Sequence, residues 1–185
     1  MDLSRIICPG DTYFLERLPD MQQVYDVAER IAREYRPKTI LEIGVRAGYS
    51  AYAFIKGSGQ VLKYTGIDLD DQAMYGGPWL WYAEELLANL NVSWEIKKVD
   101  SQSLTEIRGL FDLIHIDGDH TYKGCLHDML IGWPAVAPGG VMVVDDAESQ
   151  PGPKGAVAVF SKMFIGAARM YLEPSPHGQM VFVKA

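Results

Sequence analysis

Residues 39–50 read TILEIGVRAGYS. The first seven form a short apolar run rich in β-branched side chains, the pattern of a strand buried on both faces within a parallel sheet. Just upstream the period is different. Between 20 and 35 the residues Met21, Val24, Tyr25, Ala28, Ile31, Ala32 and Tyr35 recur at three- and four-residue steps, which predicts an amphipathic helix that Asp20 can cap and Pro37 follows. A helix feeding a buried strand that turns through glycine into a further helix, over 49–56, is the repeating unit of an α/β fold.

The alternation continues outward from this stretch. Strands are predicted over 64–69 (YTGIDL), 92–99, 111–117 (FDLIHID) and 140–144 (GVMVV), with helices over 78–90, 104–110 and 122–133 between them. A helix in every crossover makes the sheet mainly parallel, with helices on both faces. The tail departs from this rhythm: a helix over 154–164 precedes strand-like runs at 168–172 and 179–183, joined by EPSPHG. So short a connection requires antiparallel pairing. The expectation is therefore an α/β, doubly wound, seven-stranded sheet with an antiparallel C-terminal strand. The loops richest in breakers are 57–60, 76–78 and 149–155 (SQPGPKG), and the last lies where a substrate lid could sit.

The chain has 185 residues, 17 Lys+Arg against 24 Asp+Glu, a net charge of −7 and 48% hydrophobic residues. That length suits one domain with a sizeable core. The two cysteines, Cys8 and Cys125, belong to no CxxC pair or Cys/His cluster, so reduced thiols in a cytoplasmic setting are expected. The acidic balance disfavours nucleic acid and anionic membranes as partners, since both are held by an excess of Lys and Arg. The first residues lack the apolar stretch of a signal peptide, and no run of about 20 apolar residues suggests a membrane span.

Ligands of open parallel sheets bind outside the carboxyl ends of the strands, so the polar residues there are the candidates. The first strand ends E-x-G-x-x-x-G-x-S, giving Glu42, Gly44, Gly48 and Ser50. This is neither the G-x-G-x-x-G dinucleotide fingerprint nor a Walker loop, which disfavours NAD and ATP; a plain strand-to-helix turn is the alternative. Asp68, at the tip of the second strand, is placed to accept hydrogen bonds from ribose hydroxyls, whereas Asp70 and Asp71 are expected to be solvated loop acids. Asp100 and Ser101 could meet an adenine amino group or simply cap a helix.

The fourth strand closes HIDGDH and the fifth VVDDAES. They carry Asp117 and Asp119, and Asp145, Asp146 and Glu148, and the first carboxylates after the two strands could converge on one point. A hard divalent cation would relieve their repulsion; caps and loop acids are the alternative. His120, beside these acids and with an ordinary pKa near 6.5, is the candidate general base, against a reading as a surface histidine. His115 is expected to be a hydrogen-bonded core residue, His127 and His177 exposed helix and turn residues, and Trp79, Trp81, Trp94 and Trp133 packing residues.

These residues resemble the class I S-adenosylmethionine (SAM)-dependent methyltransferases, and within them the metal-dependent O-methyltransferases. LEIGVRAGYSAYAF looks like the cofactor motif of the catechol O-methyltransferase group, and IDGDHTYKGCLHDM followed by GGVMVVDD resembles bacterial small-molecule enzymes, including those that methylate sugars on macrolide antibiotics. The resemblance covers about 20–183 and implies a Rossmann-like methyltransferase fold; one domain over 1–185 is expected, with 1–19 left as a substrate lid or arm. It places the methionine part of SAM against Glu42, Gly44, Gly48 and Ser50, the ribose on Asp68, and the adenine near Asp100 and Ser101. It makes Asp117, Asp145 and Asp146 ligands of Mg²⁺ or another divalent cation, Asp117 being a cofactor contact as well, and His120 the base.

The catechol enzymes carry asparagine at the position of Asp146 and lysine at that of His120. The expected acceptor is therefore not catechol but a sugar or other small vicinal diol. Only 1–19, 71–77 and 149–155 remain to build its pocket, and a homodimer is expected. Two other classes compete: a non-catalytic SAM-binding subunit of a biosynthetic complex, and a metal-dependent hydrolase using the GDH and DD acids.

Overall fold

A computed structural model describes residues 2–70 and 78–185; Asp71 and the loop over 71–77 lie outside the described residues. Seven strands form one sheet: β1 (Thr39–Ile43), β2 (Lys63–Asp68), β3 (Ser93–Lys98), β4 (Phe111–Ile116), β5 (Val136–Val144), β6 (Ala168–Glu173) and β7 (Gln179–Lys184). Their order is β3-β2-β1-β4-β5-β7-β6. The first five run parallel, and β7 is antiparallel to both β5 and β6. The predicted antiparallel strand is thus inserted between β5 and β6. The chain walks outward from β1 to β3 and then returns to place β4 on the other side of β1. That reversal opens a crevice at the carboxyl ends of β1 and β4.

The helices are α1 (Thr12–Glu16), α2 (Leu18–Tyr35), α3 (Tyr49–Ser58), α4 (Leu80–Ala88), α5 (Tyr122–Gly132) and α6 (Pro151–Met163). Alternate strand residues serve two cores. Ile40, Leu113, Val141 and Val143 pack with Val24, Ala28 and Ile31 of α2 and Phe54 of α3. Leu41, Ile114, Met142 and Val144 pack on the other face with Met129 of α5 and Phe160 of α6. Phe54 and Phe160 are fully buried, and each contributes about 1.5–3 kcal/mol by leaving water.

The N-terminal residues are part of the body. Leu3, Ile6, Ile7, Cys8 and Phe14 are buried in the first core or beside it. The Leu3 N–H donates to Gln22 Oε1 (2.8 Å) and the Tyr82 hydroxyl to the Ile6 carbonyl (3.0 Å). Cys8 and Cys125 are buried and unbridged. Among the described residues no helix is long and apolar enough to cross a membrane.

Two expectations fail. No helix spans 104–110. Asp100 instead caps a single 3₁₀ turn, Ser101–Ser103, by accepting the Gln102 N–H (2.9 Å), and an irregular chain follows to β4. Seven residues containing Gly109 at φ +103° cannot offset the cost of helix nucleation. The stretch over 149–155 is not a loop either: α6 starts at Pro151, with proline in its first turn where the missing N–H costs nothing.

Candidate functional site

A cavity of about 530 Å³ occupies the crevice at the switch point. Gly44, Ser50, Asp68, Asp100 and Ser101 line one end of it, and Asp117, His120, Asp145 and Asp146 the other. Glu42, Gly48 and Glu148 do not line it.

At the first end the loop after β1 is held by Asp68. Its Oδ2 accepts the N–H groups of Val45 and Arg46, both at 2.8 Å, and its Oδ1 accepts that of Asp70 at 2.6 Å. Asp70 is not simply solvated, for Lys98 Nζ lies 2.9 Å from its carboxylate. Arg46, in the left-handed region at φ +48°, sends its guanidinium to the buried Asp11 through two bonds of 2.6 and 2.9 Å. It lies over the rings of Phe14 (4.4 Å) and Trp79 (5.3 Å). The Tyr49 hydroxyl also donates to Asp11 (3.0 Å). This knot fastens the N-terminal arm over the cavity, where Tyr13, Phe14 and Trp79 form its wall. Arg46 and Asp11 are 35 residues apart, and no local pattern announced the pair.

Glu42 requires a correction. It is fully buried, and its carboxylate accepts hydrogen bonds from the Ser50 and Tyr64 hydroxyls and pairs with His115 Nδ1 at 2.8 Å. β1 and β4 pair in the register Glu42↔His115, so the glutamate faces a strand neighbour beneath the cavity rather than a ligand in it. Gly48 caps α3 at φ +78°, and a Cβ there would come within 2.9 Å of Ala83 Cβ. Its need is close packing against α4.

At the acidic end Asp117 and Asp145 continue the ladders of β4 and β5, their N–H groups donating to Ile43 O (2.8 Å) and Ile116 O (3.0 Å). His120 places Nε2 3.2 Å from Asp117 Oδ1 and Nδ1 3.5 Å from Asp146 Oδ2. His177, expected to be an exposed turn residue, is in the site, with Nδ1 3.4 Å from Asp145 Oδ2 and 3.5 Å from Asp146 Oδ1. It precedes β7, whose start lies beside the end of β5 because the two are antiparallel. The usable signal was its place at the end of the hairpin turn, but only the insertion of β7 beside β5 makes that place functional. His127 is half-buried and approaches the Ser101 and Leu104 carbonyls.

The expected set Asp117, Asp145 and Asp146 does not form one three-donor group. Among the described residues, donors within 4.8 Å of one another form two sets that share Asp117: His115, Asp117, Asp145 and Asp117, His120, Asp146. Asp145 and Asp146 lie in the turn that follows β5, and Asp146 sits in the left-handed region at φ +54°. Carboxylate and imidazole donors at this spacing fit a divalent cation, and Asp145 Oδ1 is buried without a hydrogen-bond partner.

The acids control the imidazoles. Hydrogen bonding to Asp117 raises the pKa of His120 to about 9. Burial alone would lower that of His177, yet its bond to Asp145 carries it up to about 9. Burial pushes Asp117 up to about 6. With only the protein's own charges present, His120 is therefore protonated at neutral pH, unlike an ordinary histidine. Groups raised in the folded state stabilise it fully below their unfolded pKa of about 6.5 and cease to do so as pH rises through about 9. The Tm of chelator-treated protein should fall by at least about 2–4 °C between pH 6.5 and 9.5. A flat thermal-melt series over that range would contradict these protonation states.

Residues 41–147 match a family model described as a methyltransferase domain. No curated protein matches the chain. Solved structures with the same fold include the SAH-bound methyltransferase PaMTH1 of Podospora anserina (TM-score 0.64, 19% identity, covering 97% of this chain and 89% of that one). The O-methyltransferase TomG of Streptomyces achromogenes, involved in tomaymycin synthesis and solved with SAM, gives 0.62 and 19% over 87% and 79%. An O-methyltransferase of Bacillus cereus in complex with SAH gives 0.63 and 18% over 99% and 95%. At these identities the likeness establishes the class I methyltransferase fold. The family model spans more than half the chain and includes the β1 loop, Asp68 and both acid-bearing strand ends, so the chain belongs to the methyltransferase-domain family.

Proposed function

We propose that the chain is a SAM-dependent O-methyltransferase that acts on a hydroxyl of a small molecule, a sugar or other vicinal diol, with His120 as general base and a divalent cation at the acidic end. The observation that carries this reading is the single cavity joining the Asp68 end to the Asp117 and His120 end. Asp68 would take the ribose hydroxyls, with Asp100 and Ser101 near the adenine. Gly44 and Ser50 would flank the methionine part. Glu42 would act from below by fixing the Ser50 hydroxyl.

The chemistry asks the protein for alignment: an acceptor oxygen about 3–3.5 Å behind the sulfonium methyl carbon, in line with the breaking S–C bond. Tyr13, Phe14 and Trp79 of the wall would exclude water there, with residues 1–19 as the acceptor-side arm of one domain over 1–185. His120 is anchored through Nε2 on Asp117, whose charge keeps the imidazole protonated; with that charge neutralised by a bound cation, His120 would be neutral and able to take the acceptor proton at Nδ1. Asp117, shared by the two donor sets, would hold the cation together with the other members of one of them, and the ion when bound supplies Lewis-acid stabilisation of the acceptor oxygen.

Calorimetry should show binding of S-adenosylhomocysteine, and labelled SAM should transfer methyl to one or more members of a panel of small diols. His120→Ala should lower kcat by roughly 10²–10⁴ while leaving that binding intact. Absence of binding at millimolar concentration would overturn the cofactor reading. Binding without transfer to any diol would favour a non-catalytic subunit.

A further inference from the structure

We propose that His115, the imidazole beneath the cavity, is a direct ligand of the cation, so that the site takes a transition-metal ion through mixed nitrogen and oxygen donors rather than magnesium. This rests on the reading that a cation serves the cavity, and it adds the ligand that decides which one.

His115 is an unusual residue for its place. It sits within β4, flanked by β1 and β5, and is only 1% exposed. Such positions are ordinarily apolar. Its Nδ1 is engaged by Glu42, which the Ser50 and Tyr64 hydroxyls hold from their own sides. Its Nε2 is buried and has no partner, and the same is true of Asp145 Oδ1. Leaving one such atom unsatisfied costs about 1–3 kcal/mol. The two residues that carry these atoms belong to one three-donor set, which points to a shared partner.

Sheet geometry explains why they meet. Residues 113, 115 and 117 of β4 and its extension lie on one face, as do 141, 143 and 145 on the β5 side. Glu42 pairs with His115 across the ladder, and Val143 pairs with His115 on the other side. The Glu42, His115, Asp117 and Asp145 side chains therefore form a row along one face, running up to the cavity floor. One ligand atom from each of His115, Asp117 and Asp145 lies within 4.8 Å of the others. Donors about 2.0–2.3 Å from a common ion span nearly that distance. With Nδ1 occupied, Nε2 is the nitrogen left to ligate. A carboxylate on the far nitrogen of a ligating imidazole fixes its ring and tautomer and raises its basicity, and this is the place of Glu42.

Imidazole nitrogen suits zinc, iron or nickel, and binding of first-row ions generally strengthens from manganese onward, whereas magnesium demands oxygen ligands and retains its waters. Mn²⁺ is the practical probe, because its electron spin reports a directly bound nitrogen. Chelator-treated full-length protein titrated with Mn²⁺ and separately with Mg²⁺ should bind Mn²⁺ about tenfold more tightly or better. Pulsed electron paramagnetic resonance of the Mn²⁺ complex should show ¹⁴N coupling from imidazole.

The coupling should persist in the His120→Ala/His177→Ala double variant. It should vanish in His115→Gln, which keeps an N–H for Glu42 and whose fold is checked by its thermal melt and its binding of S-adenosylhomocysteine. Mn²⁺ binding without nitrogen coupling in the wild-type protein, or coupling lost in the double variant, would overturn the proposal while leaving a cation site intact. No binding of either ion at millimolar concentration would overturn the cation reading itself. Should His115→Gln fail to fold, the double variant decides alone, since it retains only His115 among the imidazoles beside these acids.

Discussion

Gly44→Ala is expected to leave little or no folded protein, with at least about 4 kcal/mol lost in any fraction that does fold. Two effects act together. At φ +91° the backbone is in a region that L side chains rarely adopt, and a left-handed conformation costs roughly 1–2 kcal/mol for a residue with a Cβ. The larger effect is steric: that Cβ would fall 2.0 Å from the Asp117 carbonyl oxygen and 2.7 Å from the Gly118 nitrogen.

Both obstacles are main chain and cannot rotate away. Gly44 N–H is bonded to Ile67 O (2.9 Å) and Asp117 N–H to Ile43 O (2.8 Å), so relief would separate the carboxyl ends of β1 and β4. Gly59→Ala is the control. It has φ +65° and nothing within 4 Å of the added carbon, so it should lose only the conformational term. Urea unfolding of the two variants reads the difference directly. Equal midpoints would mean that close approach of the two loops is not what the glycine serves.

That contact also shows which parts of the molecule were legible before the fold was known. TILEIGV could be read as a buried strand because an uninterrupted apolar run is a local property. The rule that ligands sit at carboxyl ends of strands then picked out Asp68, Asp117, His120, Asp145 and Asp146 as cavity residues. Glu42 was read as a ligand contact because a lone acid in an apolar run looks functional, and its true partner, His115, is 73 residues away in sequence. Register across a sheet is set by tertiary packing, so the pair could not be read locally. His177 failed for a related reason: the turn was recognised, but not that its second strand inserts beside β5. The helix expected over 104–110 does not form. Leu104 and Ile107 do pack toward the second core, but from an irregular chain whose glycine and short length forbid a helix.

Asp68→Ala is expected to weaken binding of S-adenosylhomocysteine by about 10- to 100-fold. The carboxylate is half-buried at the cavity wall and already accepts three backbone N–H groups, those of Val45, Arg46 and Asp70. It therefore cannot swing away from a ribose presented at that wall. A hydrogen bond to a charged acceptor contributes about 1.5–3 kcal/mol. With three of its roughly four acceptor sites already filled, the carboxylate has one left for a ribose hydroxyl, and losing that contact would remove about 1.5–3 kcal/mol, between one and about two powers of ten in Kd.

The loop must be separated from the ligand in such a test. Asp68→Asn keeps one oxygen for the Val45 and Arg46 N–H groups but turns its amide NH₂ toward the Asp70 N–H, so it should preserve more of the melting temperature than Asp68→Ala while losing the charge that strengthens a ribose contact. Its affinity should fall between those of the wild type and Asp68→Ala. If Asp68→Ala loses stability but binds within about threefold of the wild type, the carboxylate is a brace for the β1 loop alone, and the ribose lies elsewhere in the cavity.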